Sequence, residues 1–181
     1  MSDPLHVALI YGSTREGRFC DTVARWAAAE IETAGGFTLD VVDPAADAGT
    51  PELHRRLALA DAFIVVTPEY NHGYPAPLKA LIDSLSREWH AKPVGFVSYG
   101  GVSGGLRAVE QLRLVFAELH AVTIRDAVSF AHARERFDAD GRPSDGERSR
   151  RSMGRLLAQL RWWARTLRDA RTATPYAEVA A

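Results

Sequence analysis

Residues 6–18 read HVALIYGSTREGR: a short apolar run ends at Gly12, and a polar turn bounded by Gly12 and Gly17 follows it. An apolar run of that length closed by a turn residue reads as a buried strand. From Phe19 onward, Val23, Trp26, Ala27 and Ile31 recur at helical spacing until Gly35-Gly36 stops the pattern. Strand, glycine-bounded turn and helix make half of a parallel β–α–β unit. The fold therefore depends on whether the unit repeats.

It does. Residues 37–42 (FTLDVV) alternate as a second strand, 51–60 form a short helix, and 62–67 (AFIVVT) form the most strand-like run in the chain. Residues 77–86 are helical with proline at the start, where it is tolerated. A fourth strand covers 94–98, a helical stripe runs from Leu106 to Leu119, and 122–124 with 128–130 supply the fifth strand. Residues 131–147 are polar, with Asp140-Gly141 and Pro143 as turn markers. The last helix, 147–171, aligns Met153, Leu156, Leu157, Leu160, Trp163, Ala164 and Leu167.

Residues 1–172 thus read as one domain and 173–181 as a flexible tail. Strands alternating with helices predict an α/β fold, a parallel sheet wrapped on both faces. Right-handed crossovers leave two strand orders, the flavodoxin-like one and half of a dinucleotide-binding fold. Either puts ligands beyond the carboxyl ends of the strands.

Bulk composition narrows the function. A 181-residue chain with net charge −1 argues against nucleic acid or an anionic membrane as the main partner. Charge is uneven, with eleven arginines against six acids between Arg134 and Arg171. Arg148, Arg151, Arg155 and Arg165 lie opposite the apolar stripe, as on a solvated face, and Trp162 falls among them. That tryptophan either stacks on Arg165 or marks a subunit contact. One cysteine, Cys20, excludes an intrachain disulfide and a cysteine-based zinc site, and no metal is expected. No leader-like start precedes the first strand, and no apolar run approaches the roughly 20 residues that span a bilayer. The expectation is a soluble cytoplasmic protein.

Three loops follow strands 1, 3 and 4. Gly12 and Gly17 have Walker A spacing, but Arg18 and Phe19 stand where Lys and Ser/Thr are needed. G-x-G-x-x-G is also absent from this turn. What remains is a cradle for a terminal phosphate monoester: the start of a helix, the hydroxyls of Ser13 and Thr14, and the guanidinium groups of Arg15 and Arg18. The second loop, TPEYNHGYPAPLK (67–79), is stiffened by proline and offers amides and aromatic rings to a planar heterocycle. His72 within it reads as a solvated or ring-packing residue rather than an acid or a metal ligand. The third loop, SYGGVSGGLR (98–107), lets main chain approach a ligand closely.

Together, GSTREGR, PEYNHGYPAPLKALID and SYGGVSGGLRA resemble the NADPH-dependent FMN reductase family of flavodoxin-like proteins. The similarity runs from strand 1 to the last helix and includes the FDADG-x-PSD stretch after strand 5. It implies a three-layer sandwich with sheet order 2-1-3-4-5, FMN as cofactor, and NADPH or NADH as hydride donor to flavin N5. A small-molecule acceptor such as free FMN, a quinone, an azo compound or a metal oxyanion follows. The resemblance carries phosphate contacts to Ser13, Arg15, Arg18 and Phe19. It carries ring and ribityl contacts to Pro68, Glu69, Tyr70, Asn71, Ser98, Tyr99, Gly100 and Gly101.

It names no catalytic residue; backbone N–H groups of residues 69–72 are the expected donors near N5 and O4. Many members have Ser where this chain has Arg18 and Asn where it has Cys20. Arg18 then either adds charge at the phosphate or turns toward a nicotinamide cofactor's 2′-phosphate. Homodimers or homotetramers are also implied, with helix 77–86, continuing to Trp89, as contact element. The competing reading is a flavodoxin-type electron carrier without its own NAD(P)H oxidation, for which a basic C-terminal stretch is a poor docking face.

Overall fold

The opening strand–turn–helix unit is repeated along the chain in the computed structural model, which describes residues 3–179. β1 (Leu5–Tyr11) leads into α1 (Cys20–Ala34), β2 (Phe37–Val42), a single turn α2 (Pro44–Asp47) and α3 (Pro51–Leu59). β3 (Ala62–Pro68) is followed by α4 (Ala76–Asp83), a 3-10 turn at Arg87–Trp89, β4 (Pro93–Tyr99) and α5 (Leu106–Glu118). β5 (Val122–Phe130), a short α6 (Ala133–Arg136), the long α7 (Gly146–Ala173) and α8 (Tyr176–Val179) complete the order. The strands form one parallel sheet in the order β2-β1-β3-β4-β5, with Ile10 opposite Val42 on one side and Val65 on the other. This is the flavodoxin-like order.

Strand periodicity makes the three layers. Leu5, Val7 and Leu9 of β1 pack with Val23 and Ile31 of α1 and with Met153 and Leu156 of α7. The alternate residues Ala8 and Ile10 point the other way, into a second cluster with Leu57 of α3, Ile82 of α4 and Phe116 of α5. β3 is buried along its whole length, which is why AFIVVT carries no polar alternation.

Three details differ from the sequence expectation. β5 is one continuous strand across residues 125–127, accommodated by a register shift between Val94 and Phe96 of β4. The fourth helix stops at Asp83. Trp89 is fully buried, with its ring 4.6 Å from that of Phe63 and its indole N–H donating to the Ile82 carbonyl, so it belongs to the core and not to a contact surface. Beyond Thr172, α7 continues to Ala173, and the Tyr176 hydroxyl lies 3.1 Å from His120 Nδ1. Residues 180–181 of the expected tail lie outside the described residues.

Much of the arginine on α7 is structural. Arg161 donates to the Gly35 carbonyl and covers the Phe37 ring, while Arg168 and Arg171 converge on Asp61. Trp162 is 60% exposed and meets Trp163 edge-on at 4.9 Å.

Candidate functional site

Parallel strands deliver their exit loops to one edge, and the exits of β1, β3, β4 and β5 together wall a cleft of about 440 Å³. The first wall is the loop of residues 12–19. Gly12 N–H donates to the Val66 carbonyl at 2.7 Å. A Cβ at Gly12 would fall 2.7 Å from that same oxygen and 2.9 Å from Thr67 Cα, so glycine alone lets β1 and β3 exit this close together. Ser13, fully buried, sits behind the loop rather than on the cleft surface, with its hydroxyl 2.8 Å from the Tyr70 hydroxyl. The backbone N–H groups of residues 16–19 have no hydrogen-bond partner among the described residues. Phe19 is the residue before α1 and supplies no side-chain cap. A helix start with open N–H groups is an anion cradle.

The two loop arginines have separate duties. Arg15 is exposed and lays its guanidinium 3.6 Å from the centroid of the Tyr70 ring. Arg18 is spent: it donates to both carboxylate oxygens of Asp43, to Asp21 at 2.7 Å and to the Ser13 carbonyl at 2.6 Å. The Arg18 guanidinium holds the Asp43 carboxyl below its ordinary range, against a burial effect that pushes it up. It braces the loop against the turn after β2. Arg18→Ser should therefore lower stability by about 1–2 kcal/mol through the loss of charged hydrogen bonds. Thermal unfolding checks this, and an unchanged midpoint would refute the bracing role.

The second wall is a tight hairpin after β3. Tyr70 and Gly73 exchange both backbone hydrogen bonds around Asn71 and His72, which have φ of 50° and 68°. Asn tolerates that left-handed region better than most residues. Asn71 and His72 are exposed at the tip, and neither lines the cleft. Pro68, Glu69 and Tyr70 do. Glu69 N–H donates to Tyr99 O and Tyr70 N–H to Gly73 O, so two of the four amides expected to be available are already used. The Glu69 side chain, 6% exposed, accepts from the Ser103 hydroxyl at 2.7 Å, Arg107 N–H at 3.1 Å and Arg107 Nη1 at 2.8 Å.

The third and fourth walls are bonded to each other. Tyr99, Gly100 and Gly101 line the cleft, whereas Ser98 is buried beneath it with its hydroxyl on the Gly104 carbonyl at 2.8 Å. Gly104 has φ 62°, and a Cβ there would meet Ser129 Oγ at 2.3 Å. His132 N–H donates to Gly101 O and Ala133 N–H to Gly100 O, which staples the β5 exit to the β4 exit. His132, Ala133, Arg134 and Glu135 thereby enter the cleft lining. Sequence reasoning assigned none of these four. Phe19 packs edge-on against Tyr99 at 5.9 Å, with the Arg134 guanidinium 5.4 Å from its own ring centroid. Burial raises the Tyr99 phenol and the Cys20 thiol above their ordinary values, so both remain protonated at neutral pH. Among the described residues no cluster of His, Cys, Asp and Glu could hold a metal ion, and no helix is long and apolar enough to cross a membrane.

The family model described as NADPH-dependent FMN reductase matches residues 5–135. A NAD(P)H-dependent FMN reductase of Pseudomonas aeruginosa is 31% identical over 93% of this chain and 100% of its own length. A NAD(P)H-dependent FMN reductase of Schizosaccharomyces pombe is 36% identical, with 55% of this chain matched to 60% of the relative. Among solved structures, the Paracoccus denitrificans flavoenzyme NAD(P)H:(acceptor) oxidoreductase FerB superposes with a TM-score of 0.70 at 23% identity, covering 89% of this chain and 98% of FerB. A variant of Pseudomonas aeruginosa flavodoxin superposes with a TM-score of 0.64 at 22% identity, covering 87% and 99%. At those identities the two superpositions speak to the fold.

Proposed function

The chain belongs to the NADPH-dependent FMN reductase family, and from that premise we propose that the four-walled cleft holds FMN, receives NAD(P)H and serves a small-molecule electron acceptor. The observation that carries the assignment is the run of unpartnered N–H groups at residues 16–19, set at the start of α1 beside Arg15. Those donors fit a phosphate monoester, and nothing in the loop is suited to a magnesium-bound triphosphate. The open backbone of Gly101, where a Cβ would meet nothing within 4 Å, fits a flat ring system lying against the β4 exit.

Bound FMN supplies the hydride-accepting and electron-donating chemistry, and the protein supplies position and polarity. Backbone amides of residues 16–19, with the Arg15 guanidinium, bind the phosphate. Tyr99 and Pro68 shape the apolar floor. The Asn71 and His72 N–H groups have no partners among the described residues, but they sit at the exposed tip outside the cleft lining, so no amide of the β3 hairpin is assigned to the ring. Ser13 and Ser98 act from behind, one through Tyr70 and the other by fixing the Gly104 carbonyl. No side chain is required to take a proton from carbon, so no acid–base residue is assigned.

The same reading extends to a cytoplasmic location and to a homodimer or homotetramer. Val102, Leu106 and Leu114 expose apolar side chains at and before α5 and are suited to self-association.

The purified protein should take up FMN with quenching of flavin fluorescence. It should oxidise NADPH when FMN and an acceptor are present, with no partner reductase. NADPH loss equal to a no-enzyme control across quinones, azo dyes and free FMN would remove the reductase reading. FMN uptake without any such oxidation would leave an electron carrier in its place.

A further inference from the structure

We propose that the groove between α1 and the turn at residues 138–146 binds the 2′-phosphorylated adenosine half of NADPH, with Arg25 and Arg150 as its phosphate clamp. The inference rests on the reading of the cleft as the FMN site. A cleft of about 440 Å³ filled by one nucleotide has little room for a second, larger one. NADPH carries a second nucleotide that must lie elsewhere. The adjoining groove, about 710 Å³, is larger than the cleft, and Phe19 lines both. Arg134, with its guanidinium 5.4 Å from the Phe19 ring, stands at that shared wall, where a pyrophosphate linking the two halves would pass.

The charge in the groove is unspent in the right places. Arg25, on α1, and Arg150, on α7, are exposed and make no hydrogen bond or ion pair among the described residues. Arg18 is unavailable for this duty because Asp43, Asp21 and the Ser13 carbonyl occupy its donors. Most of the acid in the groove is occupied as well. Asp138 accepts from the Asp140 and Arg142 N–H groups, and Asp140 pairs with the Arg142 side chain. Glu30 is the remaining acid of the groove: burial pushes its carboxyl up and the nearby Arg150 charge pulls it down, so Arg150 faces one carboxylate without a hydrogen bond to it. Trp26 and Pro143 add apolar wall to the same groove, a surface for a base. A phosphate monoester carries close to two negative charges at neutral pH. NADH lacks that group, so two free guanidinium groups at the far end discriminate between the dinucleotides by differential affinity.

The test is calorimetric and needs no turnover. Adenosine 2′,5′-bisphosphate should bind the FMN-loaded wild-type protein more tightly than 5′-AMP and should compete with NADPH. In the Arg25→Gln/Arg150→Gln double variant, NADPH affinity should fall by about tenfold or more, the scale of lost charged hydrogen bonds. NADH and FMN affinities should hold. Both substitutions lie on exposed positions, and the wild-type comparison stands without them. Equal binding of the two adenosine phosphates, or an unchanged NADPH-to-NADH affinity ratio in the variant, would overturn the groove assignment alone. Failure of the wild-type protein to bind FMN would instead remove the reading of the cleft beneath it.

Discussion

Replacing Gly12 with alanine should weaken FMN binding by about tenfold to a hundredfold, a large effect for a single methyl group. The new Cβ would stand 2.7 Å from the Val66 carbonyl oxygen and 2.9 Å from Thr67 Cα, both backbone atoms of the central strand. No rotamer relieves a clash with main chain, so the loop of residues 12–19 must move away from β3. Val66 O accepts the Gly12 N–H and also faces the Cys20 thiol at 3.6 Å, and that displacement loosens both ties. Overpacking of this kind costs about 1–3 kcal/mol, and 1.4 kcal/mol is a factor of ten in affinity. Because the strain is relieved by shifting the phosphate cradle, most of it should appear in the flavin dissociation constant. Gly154→Ala is the matched control, since a Cβ there meets nothing within 4 Å and helix propensity favours alanine. Fluorescence titration of both variants decides the matter. Gly12→Ala with wild-type flavin affinity and an unchanged unfolding midpoint would refute the close-approach account.

Gly12 also shows why the fold was legible. Its strand–turn–helix context is local, and local signals survive in a sequence: apolar runs, glycine stops, a helical stripe. The parallel sheet follows from repeating that unit, and the resemblance of the loop motifs supplied its order, 2-1-3-4-5. What stayed hidden is non-local. His132, Ala133, Arg134 and Glu135 follow a strand that the sequence marked only at its ends, and His132 takes a left-handed conformation at φ 49° with no glycine to announce it. The usable signal was topological: once β5 is placed beside β4, the two exits must adjoin. Arg18 illustrates the opposite difficulty. Its charge was visible, but its three partners come from positions 13, 21 and 43, and only folding joins them. Likewise Ser13 and Ser98, small polar residues one or two positions from a glycine, look like ligand donors in sequence and are buried supports in space.

Glu69→Gln should produce the second large effect, a loss of about 2 kcal/mol of stability at neutral pH, read as a drop of roughly 6 °C in the unfolding midpoint for a chain of this size. The Glu69 carboxylate links the β3 hairpin to the start of α5, accepting from Ser103, from Arg107 N–H and from the Arg107 guanidinium. Glutamine keeps the shape and replaces one acceptor with a donor. In one amide orientation the NH₂ meets the guanidinium. In the other it meets the Arg107 N–H, which cannot turn to accept. Either way a largely buried donor loses its partner.

The pH dependence separates this ion pair from simple packing. Burial pushes the Glu69 carboxyl up, but Ser103 and Arg107 together bring it below the ordinary carboxylate value. A depressed carboxyl contributes stability above its unfolded pKa, about 4.3. That contribution disappears as pH falls through the lower folded value. The wild-type advantage over Glu69→Gln should thus be constant near neutrality and shrink steadily below about pH 4. Asp43 and Asp145 are depressed too, so both proteins lose stability in acid, and the difference between them is the quantity to follow. The consequence for the site is positional. Glu69 lines the cleft between Pro68 and Tyr70, so the variant should also weaken FMN binding while leaving the sheet intact. A stability gap that persists undiminished into acid would mean the residue serves by its shape, and the charge link between β3 and α5 would have to be abandoned.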